Sequence, residues 1–482
     1  MTAAPPSDTS TSNRSISTFS LVMFILGAAA PLTILAGFAP IGLIAGGEGL
    51  VVGFLVPALV YLVFAIGFAA MSRHYEGLGA FYAYISRGIS PTLGGAAGVV
   101  AYLGYLAGQI GFTASTGVFA SALLAPILGV EIPWFICAVV ISVGVGALSY
   151  GRVEIGARVL TALLLAEIGI LVYFCVAVLL QGGYAGLSLH AFSPEVVFST
   201  AVPAVFTMTF SAFIGFEQTA IYSQEVRDPR RTVSRATFIG ITILGLGYTF
   251  CAWVILQAVG VERLPDLLAG DPSDLVFALN SEYAGVAMTA VMRALIVTSF
   301  IAGVIALQNA GSRYLLALGR SRILPAALGR TNPRSGTPSV AAVVQTGLVI
   351  FALIVFLIAG SDPYTEIIAW SSVPTIVAVL AMQILTSIAV IRYFREDPRG
   401  ESTWSRLVAP ILACILLFGG LFLLLSQLSS LTRLGLLGNC LTLSPLIIGA
   451  VYGLLRTRYL RGRDRGTPGL TTSAITYHEE QR

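Results

Sequence analysis

Three ionisable side chains stand inside long apolar runs of this chain: Glu167 in TALLLAEIGILVYF, Glu217 in FSAFIGFEQTAIY and Arg293 in AVMRALIVTSF. A charge placed in hydrocarbon is costly, so such groups face a partner or a wet cavity and are site candidates by default. A carboxylate in that setting can carry a proton or ligate a cation. The alternative for each glutamate is a structural carboxylate bonded to nearby backbone. For Arg293, about three turns inside Glu282 on one helix, it is snorkelling to the surface. Two backbone features sit beside these charges. Gly215 precedes Glu217 by two residues and weakens the helix there. Pro31 lies mid-run in TFSLVMFILGAAAPLTILAGFAPIGLIAGG. Proline removes an amide donor and clashes with the carbonyl one turn back, so a break is expected between Ala28 and Thr33. Backbone groups freed within a membrane must be satisfied or line a cavity.

The elements that position these residues are membrane helices. The chain has 482 residues, 56% hydrophobic and only 10% charged, against roughly 25% charged for a soluble domain. Runs of roughly 20 apolar residues mark spanning helices. They lie near 17–44, 50–71, 93–125, 132–150, 156–181, 196–222, 234–260, 283–318, 338–359, 364–394, 405–428 and 434–456, about twelve in all. The fold class expected is therefore all-α integral membrane. The arginines alternate with this count. Loops holding Arg73 and Arg87, Arg152 and Arg158, Arg227 to Arg235, Arg320 to Arg334, Arg392 to Arg406, and the tail from Arg456 fall on one side. The other side holds only Arg263 and Arg433. The positive-inside rule then places both termini in the cytoplasm. Residues 1–16 are polar and precede no cleavable signal pattern. The five cysteines have no CxxC spacing and read as small buried hydrophobes. His74, His190 and His478 are too scattered for a metal site. The loop 261–282 is acidic and reads as solvated surface.

Broken spans 1 and 6 open two five-span units, 17–181 and 196–394, within a core at 17–394. An odd number of spans per unit makes the units opposite in topology, a 5+5 inverted repeat with a site where the broken helices face each other. Two further helices occupy 395–459, and 460–482 is a cytoplasmic tail. Half-helix N-termini present N–H groups to a carboxylate, and unwound carbonyls accept from an ammonium. Such a pair of breaks matches a zwitterionic amino acid.

Four stretches carry a family likeness. FSAFIGFEQTAIYSQEVRDPRRTVSRA resembles the sixth helix and following turn of the amino acid–polyamine–organocation permease superfamily. EGLGAFYAYISRGIS is similar to that family's approach to helix 3. QNAGSRYLLALGRSRILPAALGRTNPRSGTP resembles the end of helix 8 and its loop, and IAVIRYFRED the end of helix 10. The resemblance implies a LeuT-like inverted repeat with two C-terminal helices, working as a secondary-active permease in the cell (inner or plasma) membrane. It implies that backbone at Phe213, Ile214 and Gly215, followed by Phe216, holds the substrate's amino group. It assigns the carboxylate to Ala29, Ala30, Pro31, Leu32 and Thr33, although this chain reads AAAPLT where the family has a G-S-G type motif. The gating aromatic of some relatives aligns with Ser211, beside Phe210. Glu167 aligns where some proton-coupled relatives carry a helix 5 lysine; it implies a proton site, or a sodium site shared with Thr298 and Ser299. Glu217 matches a family glutamate linked to substrate and pH response. Tyr102, Tyr105 and Gln109 are within reach of the site or are interior packing. The substrate expected is an amino acid, with amine or polyamine uptake and exchange as alternatives, and the coupling ion H+, with Na+ as its alternative. No cofactor and no nucleic-acid partner is expected: no nucleotide loop, catalytic triad or metal cluster appears. A transport-inactive sensor is the reading from another class, and the short tails count against it.

Overall fold

The computed structural model describes residues 17–74, 81–151, 157–217, 219, 226, 229–332 and 336–464. They are helical throughout, with no strand among them, and include 11 helices long and apolar enough to cross a membrane. The chain is a multi-pass membrane protein. Its unbroken spans include Gly49–Ser72 (second), Pro91–Leu128 (third), Trp134–Gly151 (fourth), Ala157–Gln181 (fifth) and Pro229–Val259 (seventh). Val286–Arg320 (eighth), Ser339–Ile358 (ninth) and Leu436–Asp464 (twelfth) follow the same pattern. The first, Thr18–Gly46, is interrupted within. The tenth, Pro363–Glu396, and the eleventh, Trp404–Ser426, each begin with a wide π turn.

The sixth span, expected to be broken near Gly215, is three short pieces, Pro194–Val197, Ala201–Ala204 and Phe206–Ser211, followed by turns to Glu217. Pro194 and Pro203 begin or interrupt the first two pieces, and Gly215 ends the descent. The last helix runs to Asp464, beyond the expected boundary at 459. The sequence also conceals a separate helix, Phe81–Gly88, lying between the second and third spans. Ser90, extended, accepts from the amide of Leu93 at 3.2 Å, and Pro91 takes the first helical position, so the chain turns there and starts anew.

Small residues set the packing of the third span. A Cβ on Gly104 would lie 2.6 Å from that of Ala378, and one on Gly108 would meet Thr375 at 3.2 Å. The GYLAG spacing thus seats the tenth span, with Thr375 Oγ1 donating to the Gly104 carbonyl at 3.0 Å. Three buried glutamines join the third, eighth and ninth spans. Gln109 donates to Gln308 and Gln345 donates to Gln109, both at 2.7 Å.

The arginine-rich ends of the helices share contacts. Arg73, at the end of the second span, grips Glu401 with two hydrogen bonds of 2.8 Å. His74 adds a third contact at 3.1 Å and Ser405 a fourth at 3.0 Å. Burial alone raises the Glu401 carboxyl; the hydrogen bonds and charge of Arg73, with Ser405 and His74, outweigh it and hold the group below its ordinary range. Arg152, Arg227, Arg334, Glu225 and Asp228 lie outside the described residues.

Candidate functional site

The first break falls at Ala30. Its left-handed conformation (φ 46°, ψ 70°) ends the helix Thr18–Ala29, and its amide closes the turn onto Leu26 at 3.1 Å. Pro31 then opens the second half, where a missing donor costs nothing. A wide turn, Thr33–Phe38, follows before the helix resumes at Ala39–Gly46. Carbonyls at both ends of this region have tyrosine partners: Tyr248 donates to Ala29 O at 3.1 Å and Tyr364 to Gly37 O at 2.6 Å.

The second break follows Phe206–Ser211. The turn closes through Ile214 N–H to the Ser211 carbonyl at 3.0 Å. Gly215 then adopts φ 122°, a region that L side chains rarely enter. A Cβ on it would lie 2.8 Å from Ala28 Cβ, so the second break packs closely against the end of the helix before the first.

One carboxylate serves each break. Glu167, from the middle of the fifth span and only 4% exposed, accepts Ser299 Oγ at 2.8 Å. Thr33 Oγ1 donates onward to Ser299 Oγ at 3.0 Å. Glu167 therefore sits at the N-terminus of the second half-helix, where free amides and the helix dipole favour negative charge. Three separate elements, the first, fifth and eighth spans, meet in this one chain of hydrogen bonds. Glu217 is fully buried. It accepts the Gly215 amide at 2.9 Å and the Tyr105 hydroxyl at 2.6 Å. It braces its own break and ties that break to the third span.

Aromatic rings close the space on both sides of the breaks. Toward the arginine-poor end, Phe38 meets Phe112 and Phe300 at centroid distances of 5.2 and 5.6 Å. Toward the arginine-rich end, Phe216 packs on Phe64 and Phe68 at 6.1 and 6.3 Å, with Phe81 against Phe68 at 6.0 Å. A cavity of about 160 Å³ beside Glu48, Tyr184 and His190 holds none of the expected site residues.

The structure brings together Ala29 to Thr33, Phe213 to Gly215, Glu167, Glu217 and Ser299. It sets Thr298 apart: that hydroxyl donates to Leu295 O in its own helix at 2.8 Å. Phe216 turns its ring into the aromatic cluster. Ser211 Oγ donates to Thr207 O at 2.6 Å, and the Phe210 ring packs on Tyr61. Tyr105 reaches the site; Gln109 joins the glutamine network instead, and Tyr102 OH makes no hydrogen bond among the described residues. Arg293 pairs with Asp274 and covers the Phe277 ring at 4.6 Å. Sequence reasoning missed Tyr248 and Tyr364, which cap the first break from the seventh and tenth spans. A tyrosine near the middle or start of an apolar run was the one available signal.

Comparison with known proteins gives a consistent result. The family model described as "Amino acid permease" matches residues 20–443. The branched-chain amino acid permease BcaP of Lactococcus lactis is 25% identical over 410 residues, 78% of this chain and 81% of that protein. The low-affinity putrescine importer PlaP of Escherichia coli is 22% identical over 321 residues, 64% of this chain and 68% of that one. The L-lysine transport protein of Corynebacterium glutamicum is 25% identical over 365 residues, covering 72% and 69%.

Proposed function

Because this chain belongs to the amino acid permease family, a family of transporters rather than enzymes, we propose that it takes up an amino acid across the cell membrane, driven by protons. Transport is by alternating access about the paired breaks in an inverted-repeat core, with both termini cytoplasmic. The substrate's carboxylate faces amides of the second half-helix of span 1, and its ammonium faces carbonyls around Phe213 to Gly215.

The observation that carries the coupling is the position of Glu167. Its hydrogen-bond chain joins the fifth span to two others, the first and the eighth, that must part when access alternates, so its bonding and its proton are tied to the state of the breaks. Glu217 contacts its own break and Tyr105, which suits a brace. Sodium held by Glu167 and Ser299 is the alternative, and an amine substrate is the second reading. The putrescine importer among the relatives favours that second reading.

Reconstituted protein tests both. Uptake of leucine, lysine and putrescine is measured under an inward pH gradient, then under a sodium gradient at equal pH. Glu167→Gln is expected to abolish pH-driven accumulation while leaving substrate exchange. Full accumulation by Glu167→Gln overturns the assignment, and accumulation driven by sodium alone replaces the proton.

A further inference from the structure

Two of the five cysteines face each other. Cys175 Sγ of the fifth span lies 3.7 Å from Cys251 Sγ of the seventh, near van der Waals contact. The two are far apart in sequence and sit on helices with different partners. We infer that Cys175 and Cys251 form a modification site: a thiol pair that a peroxide closes to a disulfide, locking the first break. The locking part of this inference rests on the transport reading above.

The chemistry needs an oxidant that can enter an apolar layer. Hydrogen peroxide is small and uncharged. Cys175 is buried and Cys251 half-buried, so Cys251 is the thiol it meets. Cys251 sulfur attacks one peroxide oxygen, giving a sulfenic acid and one water. Cys175 sulfur then displaces the sulfenic oxygen, which leaves as a second water carrying the Cys175 proton. Two thiols are oxidised by two electrons and one peroxide is reduced to two waters. The sulfurs must close by about 1.7 Å to reach the roughly 2.0 Å of a disulfide, a movement within the reach of side-chain rotation and a small helix shift.

What the bridge constrains follows from its neighbours. Cys251 stands one turn beyond Tyr248, whose hydroxyl holds the Ala29 carbonyl, the last residue before the break. Cys175 stands about two turns beyond Glu167, which is tied through Ser299 to Thr33, just after the break. The seventh span thus pins one side of the break and the fifth span the other. Hydrogen bonds already join the seventh span to the loop that follows the fifth, Tyr184 N–H to Gln257 O at 2.9 Å and Trp253 Nε1 to Ser188 O at 2.8 Å. Those can open and reform during a transport cycle. A covalent bond beside both pins cannot, and it holds the halves of span 1 in the arrangement described.

The test uses full-length protein in liposomes treated with hydrogen peroxide, then alkylated and analysed by mass spectrometry. A Cys175–Cys251 linked peptide is expected, with initial uptake lowered at least tenfold and restored by dithiothreitol. A variant lacking Cys137, Cys414 and Cys440 should keep this sensitivity, and Cys175→Ala or Cys251→Ala should lose it. Both thiols remaining alkylatable after peroxide overturns the site; a linked peptide with unchanged uptake overturns the lock. Untreated liposomes that transport no amino acid or amine overturn the transport reading instead, and the linked peptide still decides the site.

Discussion

Gly215→Ala probes the contact on which the site depends. Two penalties are set by the geometry. An L residue at φ 122° is held in a region costing about 1–3 kcal/mol. Its Cβ would also come 2.8 Å from Ala28 Cβ, overpacking worth about 1–3 kcal/mol more. Together they reach about 2–6 kcal/mol, against about 1.4 kcal/mol for a tenfold change in an equilibrium. The expected result is a clear fall in thermal unfolding temperature in detergent, with initial uptake reduced at least tenfold. The second change Ala28→Gly separates the terms, because it removes the clash and leaves the dihedral strain. The double variant should recover part of the loss, less about 1 kcal/mol for glycine in a helix. If Gly215→Ala matches the parent in both assays, the breaks do not meet as described. If Ala28→Gly restores everything, the dihedral angle carries no weight and the argument from conformation fails.

Tyr105→Phe removes the donor to Glu217, a buried hydrogen bond of the kind worth about 0.5–1.5 kcal/mol; uptake should weaken through its substrate dependence, while a fold marker such as unfolding temperature moves less than for Gly215→Ala. Glu401 makes a pH prediction. Its folded pKa is depressed, so its stabilisation is complete above the ordinary carboxylate value, about 4.3, and is lost as pH falls through the lower folded value. In acid-unfolding scans Arg73→Ala should begin to unfold at a higher pH than the parent, and coincident curves would remove the role given to that ion pair. Arg73→Lys, which loses the two-pronged grip, should fall between them.

Much of the architecture was legible because membranes constrain sequence heavily. Apolar run length marked the spans, and Pro31 and Gly215 marked the breaks. What escaped was whatever depends on partners across the bundle. Thr298 and Ser299 are adjacent, yet a helix turns about 100° between them, and only Ser299 faces Glu167. No periodicity in a helix that is apolar all round says which residue faces which neighbour. Tyr105 meets Glu217 from another span, and Cys175 meets Cys251, for the same unreadable reason. The helix Phe81–Gly88 escaped because it is short and follows a glycine-rich stretch. The sixth span was recognised as irregular from its glycine and carboxylate, but its division into three short pieces, with Pro194 and Pro203 in the first two, was not.

The two groups of aromatic rings on either side of the breaks have an electrical consequence. Dry, apolar layers support a voltage and wetted cavities do not, so the membrane potential falls across whichever ring group is shut. Under the alternating access proposed above, parting of the Phe38–Phe112–Phe300 group would collapse the field onto the rings around Phe68, and the reverse would hold when those part. If Glu167 carries the coupling proton as proposed, that proton would cross the whole potential, about 2.3 kcal/mol per 100 mV, while its carboxylate stays in place. In that proposal the rings do the moving, and the charge is carried across by the relocation of the barrier.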